Sequence, residues 1–150
     1  MRLVIQRVNQ ASVKVNAEIV GQTSKGLMVL VGFHQADSNV DLNYVASKLI
    51  EMRIFSNAKG RFDLSVKEIN GAVLLVPQFT LFADTRKGRR PDFFSAMNPK
   101  DAQVKFQLFV DAVKATGLEQ VQTGIFGANM QVNLENDGPV TIIFDSENTF

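Results

Sequence analysis

Two almost unbroken apolar runs, KGLMVLVGF and GAVLLVPQFTLF, constrain this chain more than any other feature. Runs this short and this rich in Val and Leu are expected to be strands buried on both faces, which requires a sheet with material on either side. The N-terminal RLVIQRV alternates Leu3 and Ile5 with Val4 and Gln6 and is followed by SVKVN, which predicts a strand and a hairpin. Asn16-Ala17 is its expected turn, and EIVGQT is the returning strand. Ser38 is expected to cap a helix running to about Arg53, with Val40, Tyr44, Ala46, Leu49 and Ile50 facing inward. SNAKGRFD is read as a polar turn.

A second helix is expected to open at Asn98-Pro99, with Asn as cap and Pro at the first helical position. Its stripe is Ala102, Phe106, Phe109, Val110 and Val113, and Gly117 closes it. VQTGIFG, MQVNLEN and VTIIFD are expected to finish the chain as strands, with Asp137-Gly138-Pro139 as a stiff turn between the last two. The order is then βββ-α-β-α-βββ, an α+β domain spanning residues 1–150.

The reactive inventory is thin. There is no cysteine, which removes disulfides, thiolate zinc sites and cysteine nucleophiles. His34 is the single histidine and falls at the end of an apolar strand, where a structural role is favoured over a base. No G-x-S-x-G elbow occurs, and GIFGAN lacks the strand-then-helix setting of a nucleotide loop. No metal or cofactor is expected. The opening MRLVIQRVNQASVKV meets a charge and a Gln too early for a secretory segment, and no run approaches a membrane span. A cytoplasmic location is therefore expected.

Two features resist an ordinary reading. Pro77 interrupts a strand just before Gln78-Phe79-Thr80, and Pro in a strand marks an edge, an end or a bulge. Thr80 is read as a weak nucleophile, a hydrogen-bonding group or simply a strand residue; Phe79 as a stacking surface or a core side chain. Directly after them, Arg86, Lys87, Arg89 and Arg90 crowd into TRKGRRPDF, the one local cluster in a chain of net charge +1. Such a cluster is either a solvated loop or a phosphate contact.

Taken together, IQRV with ASVKV, PQFTLFADTRKGRRPDF and TGIFGANMQVNLENDGPVTI resemble the D-aminoacyl-tRNA deacylases over essentially the whole chain. That family removes D-amino acids wrongly esterified to tRNA. The resemblance implies a mostly antiparallel, barrel-like sheet with two main helices, and a homodimer with its active sites at the interface. It implies a cis Gly138-Pro139 peptide inserted into the partner's site, its two carbonyl oxygens excluding L-amino acids and admitting Gly-tRNA. Arg7 then matches the residue holding that motif. Gln78, Phe79 and Thr80 match the wall around the scissile ester, with the tRNA 2′-hydroxyl assisting hydrolysis. Phe126 and Met130 match residues lining the aminoacyl-adenosine pocket, and Ala102 the small side chain that admits the terminal adenine. In this light Arg86, Lys87, Arg89 and Arg90 become contacts for tRNA phosphates.

One position departs from the family, whose motif usually reads Ser-Gln-Phe-Thr where this chain has Pro77-Gln78-Phe79-Thr80. Pro there resembles a related animal deacylase of relaxed chirality, acting on L-Ala-tRNA and carrying the Gly-Pro in trans. Phe79 and Arg7 instead match the D-specific family. Two further alternatives are a non-catalytic tRNA-binding dimer and a small-molecule hydrolase.

Overall fold

In the computed structural model, which describes residues 1–147, a long strand, β1 (Arg2–Val15), organises the sheet. Its first half pairs antiparallel with β3 (Gly26–Gly32) and its second half with β2 (Glu18–Thr23). The turn joining β1 to β2 uses Asn16 and Ala17 at φ 50° and 67°. Left-handed backbone at both positions is what a two-residue hairpin demands, and Asn supplies it cheaply. The opposite edge of β1 is covered from Arg2 to Lys14 by the antiparallel strand β8 (Gln131–Asp145).

The two apolar runs are strands in the sheet interior. β3 lies parallel to β6 (Ala72–Pro77), and β6 parallel to the short β7 (Val121–Thr123). Along β6, Val73 and Leu75 enter the large core beneath the helices, whereas Leu74 and Val76 join Val8, Val13 and Met28 on the other face. Both faces are therefore covered, as the lack of alternation requires. The sheet order is β2-β1-β3-β6-β7, with β8 beside β1. β2 curls back towards β7 so closely that a Cβ added to Gly21 would sit 2.5 Å from the Thr123 carbonyl oxygen. Only glycine permits this approach, which nearly closes the sheet into a barrel.

Helix α2 (Pro99–Ala115) starts as its sequence dictates. The Asn98 side chain accepts from the Asp101 N–H at 3.1 Å, and Pro99 occupies the first turn. Its buried stripe includes Ala102, Phe106, Phe109, Val110 and Val113, and Gly117 follows at φ 82°. Helix α1 (Leu42–Glu51) differs from expectation. A short 3₁₀ turn occupies Asp37–Asn39, and the cap is Asp41, whose Oδ1 accepts from the Tyr44 N–H at 3.0 Å. Val40 is extended and breaks any helix begun at Ser38. With the later start the inward stripe becomes Val45, Ala46, Leu49 and Ile50, and Tyr44 turns outward, 57% exposed.

Two strands within the expected polar turn were not anticipated. β4 (Phe55–Ser56) and β5 (Phe62–Leu64) form a small antiparallel hairpin, its loop tied by the Asn57 side chain to the N–H groups of Lys59 and Arg61. The C-terminal turn is likewise absent. Asp137-Gly138-Pro139 lies within the single strand β8, so the observed order is βββ-α-βββ-α-ββ.

Candidate active site

Pro77 is the last residue of β6, opposite Val31 of β3. Lacking an N–H it ends the ladder, although the Gln78 N–H still reaches the Val31 carbonyl at 2.8 Å. The chain then tightens into a 3₁₀ turn, Phe79–Phe82, so Thr80 is on a turn and not on a strand tip. The first N–H groups of such a turn have no partner inside it. Those of Phe79 and Thr80 find no acceptor among the described residues. The Gln78 carboxamide donates to Thr80 Oγ1.

Beside this turn opens a cavity of about 390 Å³. Ala102 of α2 and Phe126 wall it, and Gln78 and Phe79 stand at its rim. Phe126 packs on Phe106 beneath, with ring centroids 6.3 Å apart. Phe79 is not a core side chain. It is 56% exposed and meets Phe93 edge-on at 5.1 Å. Phe33, Phe93 and Asn98 also line the cavity, and their positions in sequence gave no signal beyond ordinary core or cap residues. No ionisable side chain lines it among the described residues. His34 stands apart, its Nδ1 accepting from the Ala36 N–H at 3.1 Å and its ring tilted on Phe82. Met130 is not in the wall; its Sδ lies against Gly124, beside the smaller core cluster. Among the described residues no cluster of His, Cys, Asp or Glu could hold a metal ion, and no helix is long and apolar enough to cross a membrane.

Arg7, Gly138 and Pro139 form a second group, separate from the cavity within this chain. Gln6 pairs with Thr141 and Val8 with Asn136, so Arg7 alone faces the four residues Asp137–Val140. The surplus bulges outward and leaves Gly138 and Pro139 exposed. Their peptide bond is cis, and Gly138 has φ 142°. The buried Arg7 holds the bulge from below. Its Nε donates to the Asp137 carbonyl at 2.9 Å and lies 3.3 Å from Asp137 Oδ2, while Nη1 donates to the Ile54 carbonyl at 2.7 Å. The β5 residue Phe62 covers the guanidinium, whose Cζ lies 5.2 Å from its ring centroid. From the side, Asn136 Oδ1 accepts from the Val140 N–H at 2.7 Å, and its Nδ2 reaches the Val140 carbonyl at 3.2 Å. Asn side chains commonly mimic backbone in this way, a signal the sequence carried unread.

The basic loop projects between Asp84 and Asp92, which pair through two backbone hydrogen bonds of 2.7 and 2.9 Å. Arg86 folds back onto Asp84, Nη2 to Oδ2 at 2.6 Å. Lys87, Arg89 and Arg90 are exposed and have no ion-pair partner among the described residues. The Arg86 side chain and N–H hold the Asp84 carboxyl down from 3.8 to about 2. Between about pH 4 and pH 2 the unfolded chain therefore binds a proton that the folded chain does not. The stabilisation is fully present above that window and is lost as pH falls through it. In Arg86→Ala, NMR titration of Asp84 is expected to return its midpoint towards 3.8; an unmoved midpoint would show that another group holds it.

The family model for D-Tyr-tRNA(Tyr) deacylase matches residues 4–145. The chain belongs to the D-Tyr-tRNA deacylase family. A D-aminoacyl-tRNA deacylase of Clostridium perfringens is 47% identical over 150 residues, covering all of both chains. Among solved structures, a c-Myc DNA Unwinding Element Binding Protein superposes with TM-score 0.90 at 36% identity, over 97% of this chain and 98% of that one. A probable eukaryotic D-amino acid tRNA deacylase shares the fold, with TM-score 0.84 at 20% identity over 95% and 97% of the two chains. The deacylase family match spans both the cavity rim and the Gly138-Pro139 bulge.

Proposed function

We propose that the chain hydrolyses the ester bond of D-aminoacyl-tRNA, releasing the free D-amino acid and tRNA. One observation carries the reading: in a chain of a deacylase family, an apolar cavity of nucleoside size opens where Gln78 and Phe79 meet solvent. The terminal adenosine enters beside Ala102 and Phe126, and the ester rests at the rim. Water attacks the ester carbonyl carbon, and the bond to the ribose 3′-oxygen breaks. The neighbouring 2′-hydroxyl relays a proton from the attacking water to that departing oxygen. The lack of ionisable side chains in the wall among the described residues supports this division of labour, because an aminoacyl ester is already activated. The protein then supplies orientation, and the N–H groups of Phe79 and Thr80 meet the developing oxyanion. Thr80 supports the site through Gln78, and no ionisable side chain lines the cavity among the described residues to activate it as a nucleophile.

Chirality is assigned to Gly138 and Pro139. In a homodimer, the bulge of one subunit enters the cavity of the other, and its carbonyl oxygens crowd the face where an L side chain would project. Their exposure, and their separation from the cavity within one chain, support a site completed by a second copy. Arg7 positions the bulge from below. Glycine has no side chain to clash, so Gly-tRNA is cleaved as well. Residues 1–150 act as one domain, in the cytoplasm where aminoacyl-tRNA is made.

Comparing D-tyrosyl-, L-tyrosyl-, L-alanyl- and glycyl-tRNA with a free D-tyrosine ester tests the proposal. Rapid loss of the D and glycyl esters alone is expected. Cleavage of L-alanyl-tRNA would instead indicate the relaxed specificity associated with Pro77, and tRNA binding without turnover a non-catalytic module. Thr80→Ala is expected to retain measurable hydrolysis. Complete loss with an unchanged fold would restore Thr80 as a nucleophile.

A further inference from the structure

Between the cavity and the basic loop stands a side chain that the reaction does not use. Phe94 is 85% exposed, the most exposed large apolar side chain among the described residues. It follows directly on Phe93, 37% exposed and in ring contact with the 56% exposed Phe79, and several exposed rings in one place mark an interaction site where a lone one would not. Phe94 is also held firmly. The Phe94 N–H donates to Asp92 Oδ1 at 2.7 Å, and the following turn is closed by Ala96 N–H to the Phe93 carbonyl at 3.0 Å. Gln35 N–H to the Ser95 carbonyl and Met97 N–H to the Phe33 carbonyl, at 2.9 and 3.0 Å, fasten the segment to the end of β3. The ring is thus presented by anchored backbone.

Its neighbours identify what would cover it. On one side Phe93 lines the cavity and touches Phe79. On the other, Asp92 closes the hairpin whose tip carries Lys87, Arg89 and Arg90, without ion-pair partners among the described residues. Asp84 is already matched by Arg86, and the Asp92 carboxylate is engaged by the Phe94 N–H. Among the described residues, three cations without ion-pair partners therefore sit on the hairpin that leads directly into one bare aromatic ring, next to a cavity for a nucleoside. A protein partner with an apolar patch would be met by uncompensated positive charge, whereas a single nucleic-acid strand supplies a π-face and phosphates together.

We propose that Phe94 stacks on an unpaired base preceding the terminal nucleoside of an RNA 3′ end, while Lys87, Arg89 and Arg90 meet the adjoining phosphates. This rests on the cavity being the terminal-nucleoside site. It places the basic loop on the single-stranded end and not on the paired stem. Stacking tolerates any base, so the platform serves many tRNAs without reading their sequences.

The test combines binding and turnover. A fluorescent single-stranded tetraribonucleotide ending in CCA is expected to bind Phe94→Ala about tenfold more weakly than the unaltered protein, with Phe94→Trp restoring affinity. The slope of binding against salt is expected to persist in Phe94→Ala and to flatten when Arg89 and Arg90 become Gln. In turnover, the ratio of kcat/KM for D-tyrosyl-tRNA to that for D-tyrosyl-adenosine is expected to fall about tenfold in Phe94→Ala. An unchanged ratio and unchanged oligonucleotide affinity would overturn the inference. So would a shifted dimer dissociation in sedimentation with both substrates affected alike, because Phe94 would then belong to a subunit contact. If the unaltered protein cleaves neither ester yet binds the oligonucleotide through Phe94, the platform stands and the proposed hydrolysis falls.

Discussion

Ala102→Phe is expected to reduce hydrolysis of D-tyrosyl-tRNA by on the order of 10²-fold or more, since even small misplacement of a reacting group costs that much. Ala102 lies in the first turns of α2 and contributes only a methyl group to the cavity wall. A phenyl ring there occupies the space proposed for the adenine. The fold should survive, because the ring has an existing cavity to enter; overpacking typically costs about 1–3 kcal/mol. Circular dichroism and the melting temperature establish that survival, and single-turnover hydrolysis measures the loss. A folded variant with near-normal turnover would remove the adenosine from this cavity.

The second large effect is expected at Arg7→Ala. Two carbonyls, of Asp137 and Ile54, lose the charged donor that satisfies them, and the Asp137 carboxylate loses its partner. Hydrogen bonds to a buried charged group are worth enough that the combined loss is about 3 kcal/mol. For a chain of this size that lowers the melting temperature by roughly 6–12 °C. Selectivity should suffer beyond stability, since the bulge loses its support from below. The ratio of D- to L-tyrosyl-tRNA turnover is expected to fall at temperatures where the variant is still folded. Arg7→Lys is expected to recover little, as one ammonium does not reproduce the guanidinium fork. An unaltered D/L ratio in the folded variant would detach Arg7 from selection.

Much of the sheet was legible in residues because its signals are local. Unbroken apolar runs gave β3 and β6, Asn16-Ala17 the hairpin, and Asn98-Pro99 the start of α2. The start of α1 differs from the expected one because Ser38 and Asp41 are both good caps, and the extended backbone at Val40 decides between them. The β4–β5 hairpin escaped notice because its strands are too short to show alternation. The misreading of Asp137-Gly138-Pro139 was of another kind. Its residues do form a tight feature, but whether it reverses the chain depends on β1 pairing on both sides of it. That is long-range information, absent from any local window. The same limit applies to the site: Pro77 signalled a strand end, whereas the cavity also needs Ala102 and Phe126 from distant segments.

The position of the bulge inside β8 has a thermal consequence. A recognition element on a free loop loosens through local opening, well before its protein melts. Gly138 and Pro139 are instead flanked by stretches of β8, from Gln131 to Asn136 and from Thr141 to Asp145, that are paired to β1. Disturbing them means unzipping β1 from β8. Any fidelity they confer should therefore stay level on heating and vanish together with the fold, with no warm interval in which the enzyme is active but indiscriminate.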